Sequence, residues 1–235
     1  MTNEEKLLPI IKTFRDKIRE SDFVIDKTGV KIAEIINSHL ELDPTQPVLD
    51  FQVRKTPIKY VTAELEWYDS KELSIDRIVP FAKIWEKVSD KDGYINSNYG
   101  WIIYSSENFN QFERCALELE HQTDSRRAVM IYQRPSMWLE HTENGKSDFI
   151  CTDGVQLFIR KNKLIYIVKQ RSCDFIFGFF NDFYWHCEVH CRMMERLKQT
   201  YPDLQFGTLY YDAYSLHVYE RHFEMIEKIG EIYGL

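Results

Sequence analysis

Apolar residues recur along this chain with helical spacing in some stretches and with strand-like density in others. Residues 4–20 carry apolar side chains at intervals of three and four, which predicts an amphipathic helix. Similar patterns predict further helices over 61–68, 109–119, 180–198 and 220–233. Runs rich in β-branched and aromatic residues predict strands over 30–36, 128–132, 155–159, 164–168 and 206–211.

The order of these elements favours one fold class. Helices and strands do not alternate strictly, so the pattern indicates an α+β fold rather than a parallel α/β fold. A chain of 235 residues can bury a sizeable core, and we expect a single domain over residues 1–235. Hydrophobic residues make up 44% of the chain and aromatic residues 14%, as in a globular protein rather than a disordered one.

Composition narrows the function classes. No apolar run approaches transmembrane length, and the amino-terminal residues lack the pattern of a signal peptide. The five cysteines follow no regular framework, which predicts reduced thiols and a cytoplasmic protein. A net charge of −7 argues against a nucleic-acid polymer as partner, although a few local cations could still form a small phosphate site.

Cys151 stands just before a predicted hairpin that turns at Lys161-Asn162-Lys163. It lies five residues ahead of Gln156 and twenty ahead of Arg171, which follows the second strand. Pairing of the two strands would carry the guanidinium back toward the cysteine. A fixed cation nearby favours the thiolate, which is the nucleophilic form. The spacing therefore indicates a candidate nucleophile, with an ordinary core cysteine as the alternative.

Short motifs along most of the chain resemble the thymidylate synthase family, in the family's order. They are Glu64-Leu-Glu-Trp67, Ile84-Trp85, Asn98-Tyr99-Gly100, Asp124-Ser-Arg126-Arg127, Arg171-Ser-Cys-Asp174, Gly178 and Ser215-Leu-His217-Val-Tyr219. A closer resemblance is to the phage deoxycytidylate hydroxymethylases, a branch of that family. The motifs that carry it are Asp22-Phe-Val-Ile-Asp-Lys-Thr-Gly-Val-Lys31, Ile95-Asn-Ser-Asn-Tyr-Gly-Trp101, Arg134-Pro-Ser-Met137, Ser147-Asp-Phe149 and Phe177-Gly-Phe-Phe-Asn-Asp182.

The resemblance implies a thymidylate synthase-like fold, with a large twisted mixed sheet flanked by helices, and a homodimer formed sheet against sheet. It implies that the Cys151 thiolate adds to carbon 6 of a pyrimidine, which makes carbon 5 able to attack a one-carbon electrophile. Arg171 would lower the thiol pKa and bind the substrate phosphate. Glu64 would organise water and proton transfers. Thr152 departs from the synthases, which have histidine after the nucleophile.

The resemblance also implies the remaining contacts. The phosphate ligands would be Lys27, Ser172 and Arg171, together with Arg126 and Arg127 from the other subunit, so that the active site requires a dimer. The residues that line or bind the nucleoside would be Gln156, Tyr99, His217 and Tyr219. The folate contacts would be Trp85, Asp174 and Gly178. A solvated arginine pair and a core tryptophan remain the alternatives for Arg126-Arg127 and Trp85.

Asp182 is the residue expected to choose the base. Counted from Gly178 without gaps, it falls where the synthases carry asparagine and the hydroxymethylases carry aspartate. A carboxyl group can accept from the amino group of cytosine and, when protonated, can donate to the ring nitrogen. Asn181 is adjacent, and a slip of one residue would restore the pairing with uracil.

The long predicted helix carries a second constellation, formed by His186, Cys187, His190 and Cys191. Four nitrogen and sulfur ligands would suit zinc. Successive i,i+4 pairs that start one residue apart point about 100° apart around a helix, so the four side chains can hardly converge on one ion. We expect them to pack in the core and expect no metal.

The expected function is therefore transfer of a one-carbon unit from 5,10-methylenetetrahydrofolate to carbon 5 of dCMP, followed by addition of water. The rival within the family is a folate-dependent pyrimidine methylase acting on dCMP or dUMP. The rival from another class is a metal-binding interaction module built on the histidine and cysteine residues of the long helix.

Overall fold

The computed structural model describes residues 1–235. Its α-helices are α1 (Asn3–Glu20), α2 (Ile58–Ser70), α3 (Ile84–Val88), α4 (Tyr99–Tyr104), α5 (Gln111–His121), α6 (Met137–Glu140), α7 (Gly178–Leu197) and α8 (Phe223–Tyr233). Its strands are β1 (Val24–Ile25), β2 (Lys31–Leu42), β3 (Val129–Ile131), β4 (Thr152–Arg160), β5 (Lys163–Gln170), β6 (Cys173–Asp174) and β7 (Gln205–Tyr219). None of the helices has the length and apolar character needed to span a bilayer.

All seven strands belong to one mixed sheet. The strand order is β1-β2-β7-β5-β4-β3, with β6 pairing beside β7. The β5–β7 and β6–β7 pairs are parallel, and the other neighbours are antiparallel. The α+β class and the mixed sheet with flanking helices are thus confirmed.

The predicted hairpin of β4 and β5 is present. Arg160 pairs with Lys163, and the two turn residues Lys161 and Asn162 have φ of 50° and 58°. Two consecutive left-handed residues form the kind of tight turn whose twist matches that of the flanking strands. The hairpin brings the start of β4 beside the end of β5, and Thr152 pairs with Gln170.

Several predicted boundaries were wrong, for local reasons. Both β2 and β7 extend well beyond the predicted 30–36 and 206–211, because they pair with each other from Ile32↔Tyr219 to Leu42↔Leu209. The helix α5 begins two residues late, since Asn110 is left-handed and its side chain accepts from the Glu113 amide. The predicted closing helix is divided, with a 3₁₀ turn at Glu220–His222 before α8.

The core lies between one face of the sheet and the helices. The cluster of 51 buried hydrophobic residues includes an aromatic group from α7 formed by Phe179, Phe180, Phe183 and Trp185. The helix α7 packs on β5, β6 and β7, and α1 packs on β2 and α8. Apolar side chains elsewhere on the strands remain exposed, notably Ile36 at 68% and Ile131 at 59%.

Candidate active site

Six of the residues singled out in the sequence line one small cavity of about 200 Å³. They are Glu64, Trp85, Tyr99, Cys151, Gly178 and Asp182. Glu64 lies on α2, Tyr99 begins α4, Cys151 immediately precedes β4, and Asp182 is in the second turn of α7. Residues from four separate parts of the fold therefore meet around the candidate nucleophile.

Arg171 is fixed against the segment that carries Cys151. Its amide donates to the Cys151 carbonyl oxygen at 2.9 Å. Its guanidinium donates to the carbonyl oxygens of Phe149 at 2.7 Å and Ile150 at 2.9 Å, and it lies 3.7 Å from the Cys151 Sγ. The guanidinium also stacks 4.6 Å from the centre of the Phe149 ring. The cation is thus held in place by the backbone of the segment that carries Cys151.

Burial nevertheless favours the protonated thiol of Cys151 over the thiolate. Burial raises its pKa to about 11, although Arg171 acts in the opposite direction. The carboxylates of Asp182, Asp148 and Asp153 oppose the thiolate as well. The expected effect of Arg171 is present, but desolvation outweighs it. The thiolate therefore forms only when a base removes the thiol proton or when additional positive charge offsets the burial.

Glu64 and Asp182 are both placed to carry protons near neutral pH. Burial and the nearby Asp182 raise the pKa of Glu64 to about 8, while the Tyr60 hydroxyl donates to its Oε1 at 2.6 Å. Burial raises the pKa of Asp182 to about 6, although the Gln170 amide donates to its Oδ2 at 2.8 Å. Carboxyl groups with raised pKa values in a cleft are candidates for acid–base chemistry.

Asn181 also lines the cavity, beside Asp182. Its Oδ1 is buried without a hydrogen-bond partner, whereas Asp182 is held by Gln170. The amide of Gln170 in turn donates to the Thr152 hydroxyl at 3.2 Å, and that hydroxyl donates to the Tyr99 oxygen at 3.1 Å. A continuous polar chain thus runs from Asp182 through Gln170 and Thr152 to Tyr99.

Trp85 forms an aromatic wall of the cavity. Its indole N–H donates to the Tyr60 oxygen at 3.1 Å, and its ring packs edge-on to Trp67 with centroids 5.0 Å apart. Trp85 therefore packs against the core, as the alternative interpretation predicted, and also lines the cavity. Gly178 is less constrained, since a Cβ there would only touch Asp174 and Asp182 at ordinary distances of 3.8 and 3.9 Å.

The paired arginines lie elsewhere in this chain. Arg126, Arg127 and Arg160 line a separate surface cavity of about 500 Å³ that contains no residue of the Cys151 cavity. Arg127 donates to Glu118 at 2.9 Å. The Gln156 amide donates to the carbonyl oxygens of Arg126 and Ala128, both at 3.2 Å. Within one chain, Gln156 therefore supports the arginine segment and does not line the Cys151 cavity.

The other candidate ligands lie around the ends of β6 and β7. Asp174 and His217 are neighbours in the sheet, and the His217 ring packs edge-on to Tyr219 at 5.2 Å. Asp174 Oδ1 accepts from the amides of Ile176 at 3.0 Å and Phe177 at 3.3 Å. One oxygen of this carboxylate therefore stabilises the turn that leads into α7.

Two further predicted phosphate ligands are partly or fully accessible. Lys27 is exposed in a turn organised by Asp26, whose carboxylate accepts from the amides of Thr28 and Val30. Ser172 is partly buried and directly follows Arg171. Both remain predictions, because their side chains show no contact with the Cys151 cavity.

Sequence reasoning missed five polar residues of the cavity as functional: Tyr60, Tyr68, Ser97, Asp148 and, except as a rival to Asp182, Asn181. Tyr60 precedes Glu64 by four residues, a helical spacing that could have signalled the hydrogen bond between them. Ser97 and Asp148 fall within motifs that were noted only for resemblance, and their contact joins segments about fifty residues apart.

The histidines of α7 have partners in the core. His186 Nδ1 lies 2.9 Å from the Tyr166 hydroxyl, and His190 Nε2 lies 2.9 Å from the Leu164 carbonyl oxygen. Burial lowers the pKa of His186 to about 3 and that of His190 to about 4, so both rings are neutral. No group of three or more potential metal ligands forms anywhere in the structure.

Comparison with known proteins gives one family. A family model described as thymidylate synthase matches residues 11–231. The deoxycytidylate 5-hydroxymethyltransferase of Enterobacteria phage T6 is 42% identical over 220 residues, covering 91% of this chain and 87% of the relative. The protein of the same description from phage T4 is 41% identical with the same coverage. A thymidylate synthase of Buchnera aphidicola is 24% identical over 210 residues, covering 86% of this chain and 75% of the relative.

Proposed function

This chain belongs to the thymidylate synthase family, and we propose that it is a deoxycytidylate 5-hydroxymethyltransferase. The proposed reaction joins a one-carbon unit to carbon 5 of dCMP and then adds water to it. The observation that carries the proposal is Asp182, a carboxyl group with a pKa near 6 in the same cavity as Cys151. The similarity to the phage T6 and T4 proteins supports the same assignment.

The covalent step depends on Cys151. Addition of its sulfur to carbon 6 of the pyrimidine would place electron density on carbon 5, which is otherwise a poor nucleophile. Arg171, held against the same segment, would stabilise the thiolate and the substrate phosphate together. Glu64, protonated below about pH 8, would deliver a proton to the pyrimidine and take one back.

Asp182 would recognise cytosine through two contacts. Because Gln170 donates to Oδ2, a proton on the neutral carboxyl belongs on Oδ1. Oδ1 could then donate to the unprotonated ring nitrogen, and Oδ2 could accept from the amino group. Uracil presents a donor and an acceptor in the opposite order, so it would leave both contacts unmade.

The family uses methylenetetrahydrofolate, which supplies a carbon at the oxidation level of formaldehyde. The residues present fit such a co-substrate, since Trp85 offers an aromatic face beside the cavity while its N–H is already used by Tyr60. We propose that Trp85, Asp174 and Gly178 contact it. Addition of water leaves the carbon as a hydroxymethyl group and the folate as tetrahydrofolate, with no net oxidation of the folate.

We further propose that two copies of the chain share their active sites. Arg126 and Arg127 line a surface cavity apart from Cys151 in their own chain, where the phosphate bound by a partner could reach them, and Arg127 also donates to Glu118. The exposed apolar residues of the sheet, including Ile36 and Ile131, would be covered in a sheet-to-sheet dimer. By analogy with the phage proteins, the reaction would take place in the cytoplasm of an infected cell.

A substrate panel tests the proposed function. The protein is incubated with methylenetetrahydrofolate and dCMP, dUMP or CMP, and each product is identified by mass. We expect dCMP to be preferred and to gain CH2O. A methylase would instead add CH2 and produce dihydrofolate, and a preference for dUMP would make the protein a thymidylate synthase. Absence of turnover with all three, together with bound zinc, would favour the interaction module.

A further inference from the structure

Two polar segments that are distant in the sequence meet beside the nucleophile. Asn96 and Ser97 precede α4, and Asp148 lies three residues before Cys151. The Asp148 side chain is buried and its Oδ2 accepts from the amides of Asn96 at 2.6 Å and Ser97 at 2.8 Å. Its Oδ1 accepts from the Ser97 hydroxyl. The Asn96 side chain returns a bond to the Asp148 carbonyl oxygen at 3.1 Å.

These contacts form a clasp on one side of Cys151, and a second contact holds the other side. Thr152, the residue after the nucleophile, donates to the Tyr99 hydroxyl at 3.1 Å. Both ends of the segment 148–152 are therefore anchored to the short stretch 96–99. A thiol between two fixed points has little freedom to move away from the ring carbon that it must attack.

The stretch 96–99 is itself fixed to the helix that carries Glu64. The Asn98 side chain donates to the carbonyl oxygens of Trp67 at 3.0 Å and Glu72 at 2.9 Å. At Gly100, an added Cβ would lie 1.8 Å from the Tyr68 carbonyl oxygen, so α4 can approach α2 this closely only because residue 100 is glycine. The positions of Cys151 and Glu64 are thus linked through Asp148 and Asn98.

We propose that Asp148 is a positioning residue for the nucleophile, holding Cys151 at a fixed place relative to Glu64 through its clasp on Asn96 and Ser97. The carboxylate is needed because both of its oxygens accept, which satisfies the Asn96 amide, the Ser97 amide and the Ser97 hydroxyl. An asparagine would place its NH2 group opposite at least one of these donors and lose that hydrogen bond. Loss of these hydrogen bonds would displace the thiol of Cys151, and a displacement of about 1 Å can reduce the rate of a reaction by about a hundredfold.

The test compares Asp148→Asn with Asp90→Asn. Asp90 is a matched control, because its buried carboxylate also accepts from two amides, those of Asp92 and Tyr94, yet it does not line the cavity. We expect Asp148→Asn to lower kcat for dCMP at least tenfold and to change KM less than threefold. Asp90→Asn should change kcat less than threefold. A folded Asp148→Asn protein with kcat within threefold of wild type would overturn the proposal.

A second readout does not depend on the substrate and so separates this proposal from the proposed function on which it rests. Alkylation of the Cys151 peptide by iodoacetamide is followed by mass spectrometry across pH. The charged groups that face the thiol are Arg171, Asp182, Asp148 and Asp153. Loss of the clasp should change the rate or the pH midpoint of Cys151 alkylation, because the thiol shifts relative to Arg171 and the carboxylates, whereas Asp90→Asn should alkylate as wild type does. An Asp148→Asn protein with both the rate and the midpoint of wild type would show that Asp148 does not hold the thiol and would overturn the proposal.

Ser97→Ala keeps the test valid if Asp148→Asn does not fold. It removes only the hydroxyl donor to Asp148 and leaves both amide donors in place. A fall in kcat of about threefold or more is expected for a weakened clasp, in a protein that remains folded although the buried Asp148 Oδ1 has lost its donor. Full activity of this variant would contradict the proposed role of the clasp.

Discussion

Exchange of Asp182 for asparagine should invert the choice of base. The carboxyl group occupies the cavity with Cys151 and is oriented by Gln170, which donates to Oδ2 at 2.8 Å. An asparagine complements uracil when its NH2 group takes the Oδ2 position and its oxygen takes the Oδ1 position, and the Gln170 amide can turn its unpartnered oxygen toward that NH2 group. Cytosine would then meet a donor opposite its amino group or an acceptor opposite its ring nitrogen.

The magnitude follows from the number of contacts. Two buried polar contacts would be lost with dCMP, and each unpaired group costs about 1–3 kcal/mol. The sum of about 2–6 kcal/mol corresponds to a loss of about 30-fold to about 20,000-fold in the specificity constant, at about 1.4 kcal/mol per factor of ten. The specificity constant for dUMP should rise in the same variant.

The protonation state of Asp182 adds a pH signature. With a pKa of about 6, only about a tenth of this carboxyl is protonated at pH 7 in the free protein. If the protonated form pairs with cytosine, the specificity constant for dCMP should increase up to about tenfold per unit as pH falls from 8 toward 6. The asparagine variant has no such proton and should lack this part of the pH profile.

The assay is the ratio of specificity constants for dCMP and dUMP in wild type, Asp182→Asn and Asn181→Asp. The last variant is the control, because Asn181 lines the same cavity with a buried oxygen that has no partner. We expect the ratio to invert only in Asp182→Asn. A ratio that responds to Asn181→Asp and not to Asp182→Asn would refute the assignment of Asp182.

Three further predictions concern the nucleophile, the shared site and the buried glutamate. Cys151→Ser should abolish turnover and tritium release from carbon 5 of dCMP, whereas Cys173→Ser, at a buried thiol outside the cavity, should retain both. Mixing inactive Arg126→Glu with inactive Cys151→Ser should restore some activity, and no recovery despite proven subunit exchange would contradict a shared site. The Glu64 pKa of about 8 means that the folded protein retains a proton that the unfolded chain releases near pH 4.5. The contribution of Glu64 to the free energy of unfolding should therefore fall by about 1.4 kcal/mol per pH unit from pH 5 to 8. When urea titrations are repeated at several pH values, the free energy of unfolding of Glu64→Gln should decrease less with rising pH than that of wild type.

The sequence alone predicted those features whose residues lie close together in the chain. The hairpin of β4 and β5 could be predicted because its apolar runs and its turn residues lie close together in the chain, and it brought Arg171 to Cys151 as expected. The full length of β2 and β7 could not be predicted, because their outer residues lack a clear alternation of apolar and polar side chains. These residues are extended because the two strands pair with each other.

Two features of the site were also beyond sequence reasoning. The raised pKa of Cys151 depends on burial, which no local pattern around the cysteine records. The clasp of Asp148 on Asn96 and Ser97 joins segments about fifty residues apart, and each segment alone is only a polar loop. Such contacts are set by the packing of α4 against α2, which is a tertiary property.

The most direct test of the central claim is the origin of the oxygen in the product. The protein is incubated with dCMP and methylenetetrahydrofolate in water enriched in heavy oxygen, and the nucleotide product and the folate product are analysed by mass. The account predicts a hydroxymethyl group on carbon 5 that carries the heavy isotope, with tetrahydrofolate formed in equal amount. A methyl group without added oxygen, accompanied by dihydrofolate, would contradict it.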